Sequence, residues 1–303
     1  MTRHKNLRVT LALTLLIGST LLLFSCGGGG GGGTTTTGGT ISGMAVKGPV
    51  NGATVTAYAI NNGTMGAPIG SGMTGAQGNF TISVGSYSGS VMLQMNGGSY
   101  MDEATNKNMA MNSGDVMTSV IPSITAGSAM SGIQITPLTS MAQARAHAMA
   151  GGMTETNITA ANTAVGTYFM VNDILHTQPM NPLVSGSGIG ADTNMRNYGM
   201  TIAAMSQEAA TLGMPFSSGM ITAMMDDASD GTMNGMMGST TISMSGMGGM
   251  MGGGMMSSTA GTSDLATAMT TFINNTAVNK SGLATTDMQT LITKLNGSNG
   301  TIQ

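Results

Sequence analysis

Gly48-Pro49-Val50-Asn51-Gly52-Ala53-Thr54-Val55-Thr56-Ala57-Tyr58 is the stretch that decides the fold of the first half of this chain. Gly-Pro and Asn-Gly pairs favour turns, because proline fixes one torsion and glycine tolerates positive φ. The residues that follow alternate. Val55, Ala57 and Ala59 fall on one face and Thr54, Thr56 and Tyr58 on the other, the period of a half-buried strand. The segment therefore predicts a turn over 47–52 and a strand over 53–60. Short segments of the same kind flank it: Ile41 with Gly43 to Val46 before it, then 69–74, 80–84 and 91–95 after it. Asn61-Asn62-Gly63 breaks the chain between the second and third, and 116–121 and 133–136 complete the sheet.

After Pro137 the period lengthens to that of amphipathic helices. Helices are predicted over 138–150, 154–171 and 193–213, the last carrying an apolar stripe of Met195, Tyr198, Ile202, Met205, Ala209 and Leu212. Ser217 and Ser263 are placed to cap two more, running to residues 228 and 278, and 286–295 forms the last. The predicted fold class is α+β and multidomain: an N-terminal antiparallel β-sandwich over 40–136, then a small Met-rich α-helical bundle over 137–303 with a disordered Met/Gly loop at 231–261.

Ahead of these domains, Arg3, Lys5 and Arg8 precede an apolar run over 9–24 that ends in Leu23-Phe24-Ser25-Cys26-Gly27. A basic start and an apolar stretch of this length read as an export signal over 1–25. Leu23 and Ser25 before Cys26 resemble the lipobox of bacterial lipoproteins, which implies lipidation at Cys26 and a membrane partner through the acyl chains. Two or more chains give stable anchoring. Gly27, in place of Asp, resembles the outer-membrane-sorted pattern of Gram-negative lipoproteins. The run 26–39 is glycine and threonine apart from Cys26, with nothing to pack, and reads as a tether.

Removing the leader takes three of the nine Lys and Arg and none of the twelve Asp and Glu, leaving six against twelve. Such an acidic chain, with its cations scattered singly, is not built to bind nucleic acid. With one cysteine there is no disulfide framework, so packing must hold the fold, and the 34 methionines make that packing adaptable. The absence of tryptophan and scarcity of other aromatics disfavour a sugar-stacking platform.

The opening stretch, taken with Thr74-Gly75-Ala76-Gln77-Gly78-Asn79-Phe80-Thr81-Ile82, resembles the carboxypeptidase-regulatory-like (transthyretin-like) β-sandwich of bacterial surface proteins. Gly75 stands where that family usually has Asp. The resemblance covers about sixty residues and implies a structural or ligand-presenting module with no catalysis of its own. Gly97-Gly98-Ser99-Tyr100-Met101-Asp102-Glu103-Ala104-Thr105 and Ile133-Gln134-Ile135-Thr136-Pro137-Leu138-Thr139-Ser140 are similar to a group of bacterial lipoproteins in which this sandwich continues into a helical half.

Four candidate chemistries follow from the residues. Met236, Met237, Met244, Met247 and Met250 lie in the Met/Gly stretch, and the last three repeat every three residues; thioethers are soft ligands suited to Cu(I) or Ag(I). Against that, the same residues read as low-complexity sequence or as an oxidation sink. Asp102, Glu103 and Asp115 are either calcium ligands or solvated turn residues. Asp226, Asp230 and Gly231 echo the start of an EF-hand, but Met237 falls where the bidentate Glu belongs, so they read as solvated acids at a helix end. Gly70-Ser71-Gly72-Met73-Thr74-Gly75 spells a dinucleotide fingerprint in a strand instead of a strand-to-helix turn, and is set aside. For hydrolysis only His147 and His176 remain as bases, and neither adjoins a nucleophile motif. The leading expectation is a lipid-anchored envelope module for adhesion, scaffolding or ligand presentation that recognises a protein or surface ligand, with soft-metal binding and then hydrolysis behind it.

Overall fold

Nine strands fill the first part of the structure: β1 (Gly39–Ala45), β2 (Thr54–Asn61), β3 (Thr64–Met73), β4 (Asn79–Gly85), β5 (Gly89–Asn96), β6 (Ser99–Met101), β7 (Asn108–Ala110), β8 (Val116–Ile124) and β9 (Ala129–Ile135). They come from a computed structural model that describes residues 38–244, 255–257 and 261–303, all within one unit of the chain. Strands β4, β1 and β9 make one sheet, β3, β2, β5 and β8 a second, and β6 and β7 a small ribbon. The alternation read from the sequence holds in β2, where Val55, Ala57 and Ala59 are buried.

Two details correct the sequence reading. β3 starts at Thr64, five residues before the expected 69, because Asn62 and Gly63 both take positive φ. That is the signature of a two-residue hairpin turn, which pairs its strands at once. The pairing is also not wholly antiparallel, since β9 joins β1 in parallel. β8 belongs to the other sheet, so the chain changes sheets after Ile124 and meets the free side of β1 running in the same direction.

Residues from both sheets share one buried cluster, including Ile41, Phe80, Ile82, Val55, Leu93 and Ile121. Successive residues Val91, Met92 and Leu93 are all buried in β5, which a sheet with one wet face would not allow. Val91 and Leu93 point into the sheet cluster, and Met92 joins a second cluster made chiefly of helical residues. The helices thus cover the outer side of the four-stranded sheet, with α1 (Pro137–Ala148) and α2 (Glu155–Tyr168) packed on β8.

The remaining helices are α3 (Thr193–Thr211), α4 (Ser218–Ser229), α5 (Ser263–Asn274) and α6 (Gln289–Asn296), the last entered through a 3-10 turn at Thr285–Met288. α1 packs against α2 and α4, and α5 against α3 and α6. Starts with side-chain caps are clear: Thr136 and Thr139 form a reciprocal capping box, Thr154 accepts from Asn157 N, and Asp192 from Met195 N. The two expected serine caps are not. Ser217 sits at the cap position of α4 but its hydroxyl makes no cap bond, and α5 begins at Ser263 itself, after Thr262. Both hydroxyls at those cap positions have other partners, since Ser217 donates to Asp102 Oδ2 and Thr262 to Leu295 O.

The stripe of α3 is borne out at its centre, where Tyr198, Ile202, Met205 and Ala209 are buried. Close approach there depends on Gly199, since a Cβ would stand 2.0 Å from the carbonyl oxygen of Met180. Gly199→Ala is expected to lower stability by about 2 kcal/mol, because backbone cannot yield as a side chain does. Urea unfolding of the two proteins measures it, and an unchanged midpoint would refute the contact.

Candidate functional site

Lys47 is the least expected residue in the interior, with a relative exposure of 0%. The tight turn closed by the Val46–Pro49 bridge carries it, and glycine is required at 48 because φ is +61° and a Cβ would lie 2.3 Å from Met101 O. The adjoining chain is the β6–β7 ribbon, whose connection supplies Asp102 and Glu103. Nζ lies 2.9 Å from Glu103 Oε2 and 3.9 Å from Asp102 Oδ2, and 5.1 Å from the centre of the Tyr100 ring. Helix α3 contributes Ser206, which hydrogen bonds with Lys47 Nζ and donates to Glu103 Oε2 at 2.6 Å. From the start of α4, Ser217 donates to Asp102 Oδ2 at 2.5 Å and pairs with Tyr100 OH at 2.9 Å. Thr105 donates to Asp102 Oδ1 twice, from N at 2.9 Å and from its hydroxyl at 2.8 Å.

The charge state follows from these neighbours. Burial pushes the Lys47 ammonium towards losing its proton, but Glu103, Tyr100 and Asp102 together outweigh it and hold its pKa above the ordinary lysine value. Burial likewise pushes Tyr100 up. Asp102 and Glu103 are 1% and 2% exposed, so the alternative of solvated turn acids is corrected for these two: their partner is Lys47, 55 and 56 residues earlier in the chain. Asp115 stands apart from them, accepting from Ser218 and Thr222 of α4. Among the described residues no three His, Cys, Asp or Glu side chains are placed to hold an ion.

Beside the cluster opens a cleft of about 170 Å³, lined mostly by apolar side chains such as Met44, Val46, Pro179 and Ile202, with Glu103 in its wall and Gln178 and Asn181 among its polar groups. A larger groove of about 550 Å³ lies elsewhere, between α2 and the C-terminal residues. Its tyrosine, Tyr168, is tied to Thr262 and Ser298 and pushed up by burial.

The residues expected for hydrolysis do not converge. His147 is exposed on α1, and His176 pairs with its neighbour Asp173, Nδ1 to Oδ2 at 2.8 Å, on the half-exposed surface. Ser206 with Lys47 has the composition of a Ser–Lys dyad. A lysine held as ammonium cannot act as the base that such a dyad needs, and Ser206 is itself fully buried.

The Met/Gly stretch is partly built into the fold. Cys26, Met247 and Met250 lie outside the described residues. Met236 and Met237 form β10 (Met236–Met237), paired with β11 (Thr240–Thr241), so their side chains leave opposite faces. Met233 and Met244 are buried in the helical cluster. Residues 231–233 are stitched to the C-terminal segment, with Met233 N donating to Gly300 O and Ile302 N to Gly231 O. The part of 231–261 that is described is therefore ordered, against the expectation of a disordered loop. Of the acids read as solvated at the end of α4, Asp226 is half-buried and Asp230 is exposed while also accepting backbone bonds; Asp227 beside them is buried. Asp227 Oδ1 accepts from Asn234 N and Gly235 N, and Asp230 from Thr232 N and Gly238 N.

A cavity of about 30 Å³ lies against this segment, lined by Met224, Met233, Met256, Asp227 and Glu208 among others. Glu208 Oε2 is buried there without a hydrogen-bond partner. Burial, then Asp264 and Asp227, raise Glu208 to about 7, and burial raises Asp227 to about 6 against its backbone donors. Neither grouping was visible in the sequence, because 264, 208 and 227 are brought together only by the packing of α3, α4 and α5. The one available signal was the low charge content: in a chain this poor in ions, each acid is conspicuous.

No protein-family model matches this chain, and a search of curated proteins matches none. Among solved structures, a 9R-lipoxygenase from Cyanothece is matched over 67% of this chain and 26% of its own, at 9% identity and a TM-score of 0.20. The match thus spans about a quarter of that enzyme. A TM-score of this size carries no argument about fold or chemistry.

Proposed function

We propose that this protein is a lipid-anchored component of the bacterial cell envelope, outer membrane in a Gram-negative cell, whose folded body is a non-enzymatic binding or scaffolding module. In this reading the two sheets with their shared core are a transthyretin-like β-sandwich, and the 26–39 tether carries it away from the acylated Cys26. One observation supports the module over an enzyme: the cluster of ammonium, carboxylates and hydroxyls is closed and buried, while the cleft beside it is open and mainly apolar. That combination seats a ligand against mainly apolar walls, with Glu103 held by Lys47 and Ser206.

The anchoring is tested by growing cells on an alkyne-bearing palmitate analogue and separating membranes from soluble protein. Cys26→Ala is expected to abolish labelling and to lower the membrane-bound share about tenfold, since no acyl chain remains to insert. Equal labelling of both proteins would defeat the proposal.

A second reading, soft-metal binding, is favoured by the three methionines that line the small cavity with Asp227 and Glu208. The thioethers are the soft ligands that suit Ag(I) or Cu(I), and the carboxyl groups are not. Met233→Leu with Met256→Leu is expected to remove one bound Ag(I) per chain in equilibrium dialysis, and unchanged uptake would refute it.

A further inference from the structure

Lys47, Asp102 and Glu103 are positioned for more than an ion pair. One ammonium faces two carboxylates, all three are at most 2% exposed, and among the described residues no second cation bridges to either acid. Desolvated ions are costly, and replacing a buried ion pair by neutral groups relieves that cost. An amine held within bonding reach of a carboxyl group also reacts as though at very high concentration.

The carboxyl group of Asp102 is the better prepared of the two for attack. Three hydroxyl or amide donors hold it: Thr105 N and Thr105 Oγ1 on Oδ1, and Ser217 Oγ on Oδ2. Donors aimed at one oxygen are what a tetrahedral oxyanion requires. Glu103 Oε2, 2.9 Å from Nζ, is the group placed to receive a proton from the ammonium.

We propose that Lys47 and Asp102 condense to an intramolecular amide, with Glu103 carrying the protons. The ammonium gives a proton to Glu103, which passes it to Asp102 Oδ2, and the neutral Nζ attacks Cγ of the resulting carboxylic acid to form the C–N bond. Negative charge collects on Oδ1 against Thr105. Glu103 takes the second proton from the nitrogen and gives it to the Oδ2 hydroxyl, and the C–O bond breaks. One water departs, Oδ1 becomes the amide carbonyl, and Glu103 ends as the carboxylate it was. The sum is ammonium plus carboxylate giving amide plus water, with no oxidant, nucleotide or metal. A single maturation event tolerates a rare neutral amine, which repeated turnover by a Ser–Lys dyad does not. The arrangement described above is the reactant.

The bond would tie the turn after β1 to the β6–β7 ribbon and close a covalent ring through the sheets. It is independent of the anchoring at Cys26. The full chain, extracted from membranes, denatured and digested with chymotrypsin, decides the matter, because Tyr58 and Phe80 lie between the two residues. The expected result is a branched peptide joining Lys47 to Asp102, lighter by one water, about 18 Da, than its two parts. Asp102→Ala removes the branch. Glu103→Gln keeps both joined residues but slows the joining about tenfold or more during refolding. Separate peptides of full mass from the wild-type protein, or a branch at Glu103, would overturn the assignment, and this reading does not depend on whether any variant folds.

Discussion

Lys47→Met is expected to cost the fold about 3–5 kcal/mol, the largest loss of any single exchange considered. The methionine keeps the length and apolar stem of lysine, so packing changes little. What is lost, in the chain before Lys47 and Asp102 are joined, is the one cation that faces Asp102 and Glu103 among the described residues, and with it the hydrogen bonds to Glu103 and Ser206. Two buried carboxylates then stand without compensation, and either they take up protons or the β6–β7 ribbon opens to admit water. Lys47→Met combined with Glu103→Met should recover part of that loss, because an apolar pair of similar volume carries no desolvation cost. Urea unfolding of the three proteins orders them wild type, double variant, single variant. A double variant as weak as the single one would show that ion pairing is not what Lys47 contributes.

Glu208→Gln should act in the opposite direction, stabilising the protein by about 3 kcal/mol at pH 8. Burial, with Asp264 and Asp227 nearby, pushes the native carboxyl up to about 7 from the ordinary 4.5. Below pH 4.5 it is protonated in both native and unfolded chains and has no effect on their balance. Between about pH 4.5 and 7 the native state holds a proton that the unfolded chain has released, so stability falls as pH rises, and above 7 the full cost is present. Asp227, raised to about 6, pulls the same way. Glutamine at 208 cannot ionise, so its protein should lose most of the decline across that window. The check is the unfolding free energy of both proteins at pH 5 and pH 8. Parallel curves would mean that Glu208 is as easily ionised as a surface acid.

Much of the architecture was legible in the residue pattern, and its failures are instructive. The strands around Val55 and Ile82 are readable because every second side chain is buried, and the centre of α3 because Tyr198, Ile202, Met205 and Ala209 return at helical spacing. Pattern failed where a residue's partner is remote. Ser217 looks like a helix cap in its own segment, but its hydroxyl faces Asp102, 115 positions earlier. The methionines misled for another reason. A thioether is equally at home on a metal, in a core or in solvent, so spacing does not reveal that Met233 and Met244 are packed inside while Met237 is half exposed.

The sequence by itself determined the local backbone: which segments alternate, where Asn62-Gly63 and Gly48 turn the chain, and where Pro137 opens the helices. Those choices rest on steric and hydrogen-bonding preferences that act over a few residues. Only the tertiary structure decided that β9 runs parallel to β1, that Lys47 meets Asp102 and Glu103, and that Glu208 faces Asp227 and Asp264. Each depends on how layers stack, and the energy of a charge is set by the dielectric and the neighbours that stacking brings to it.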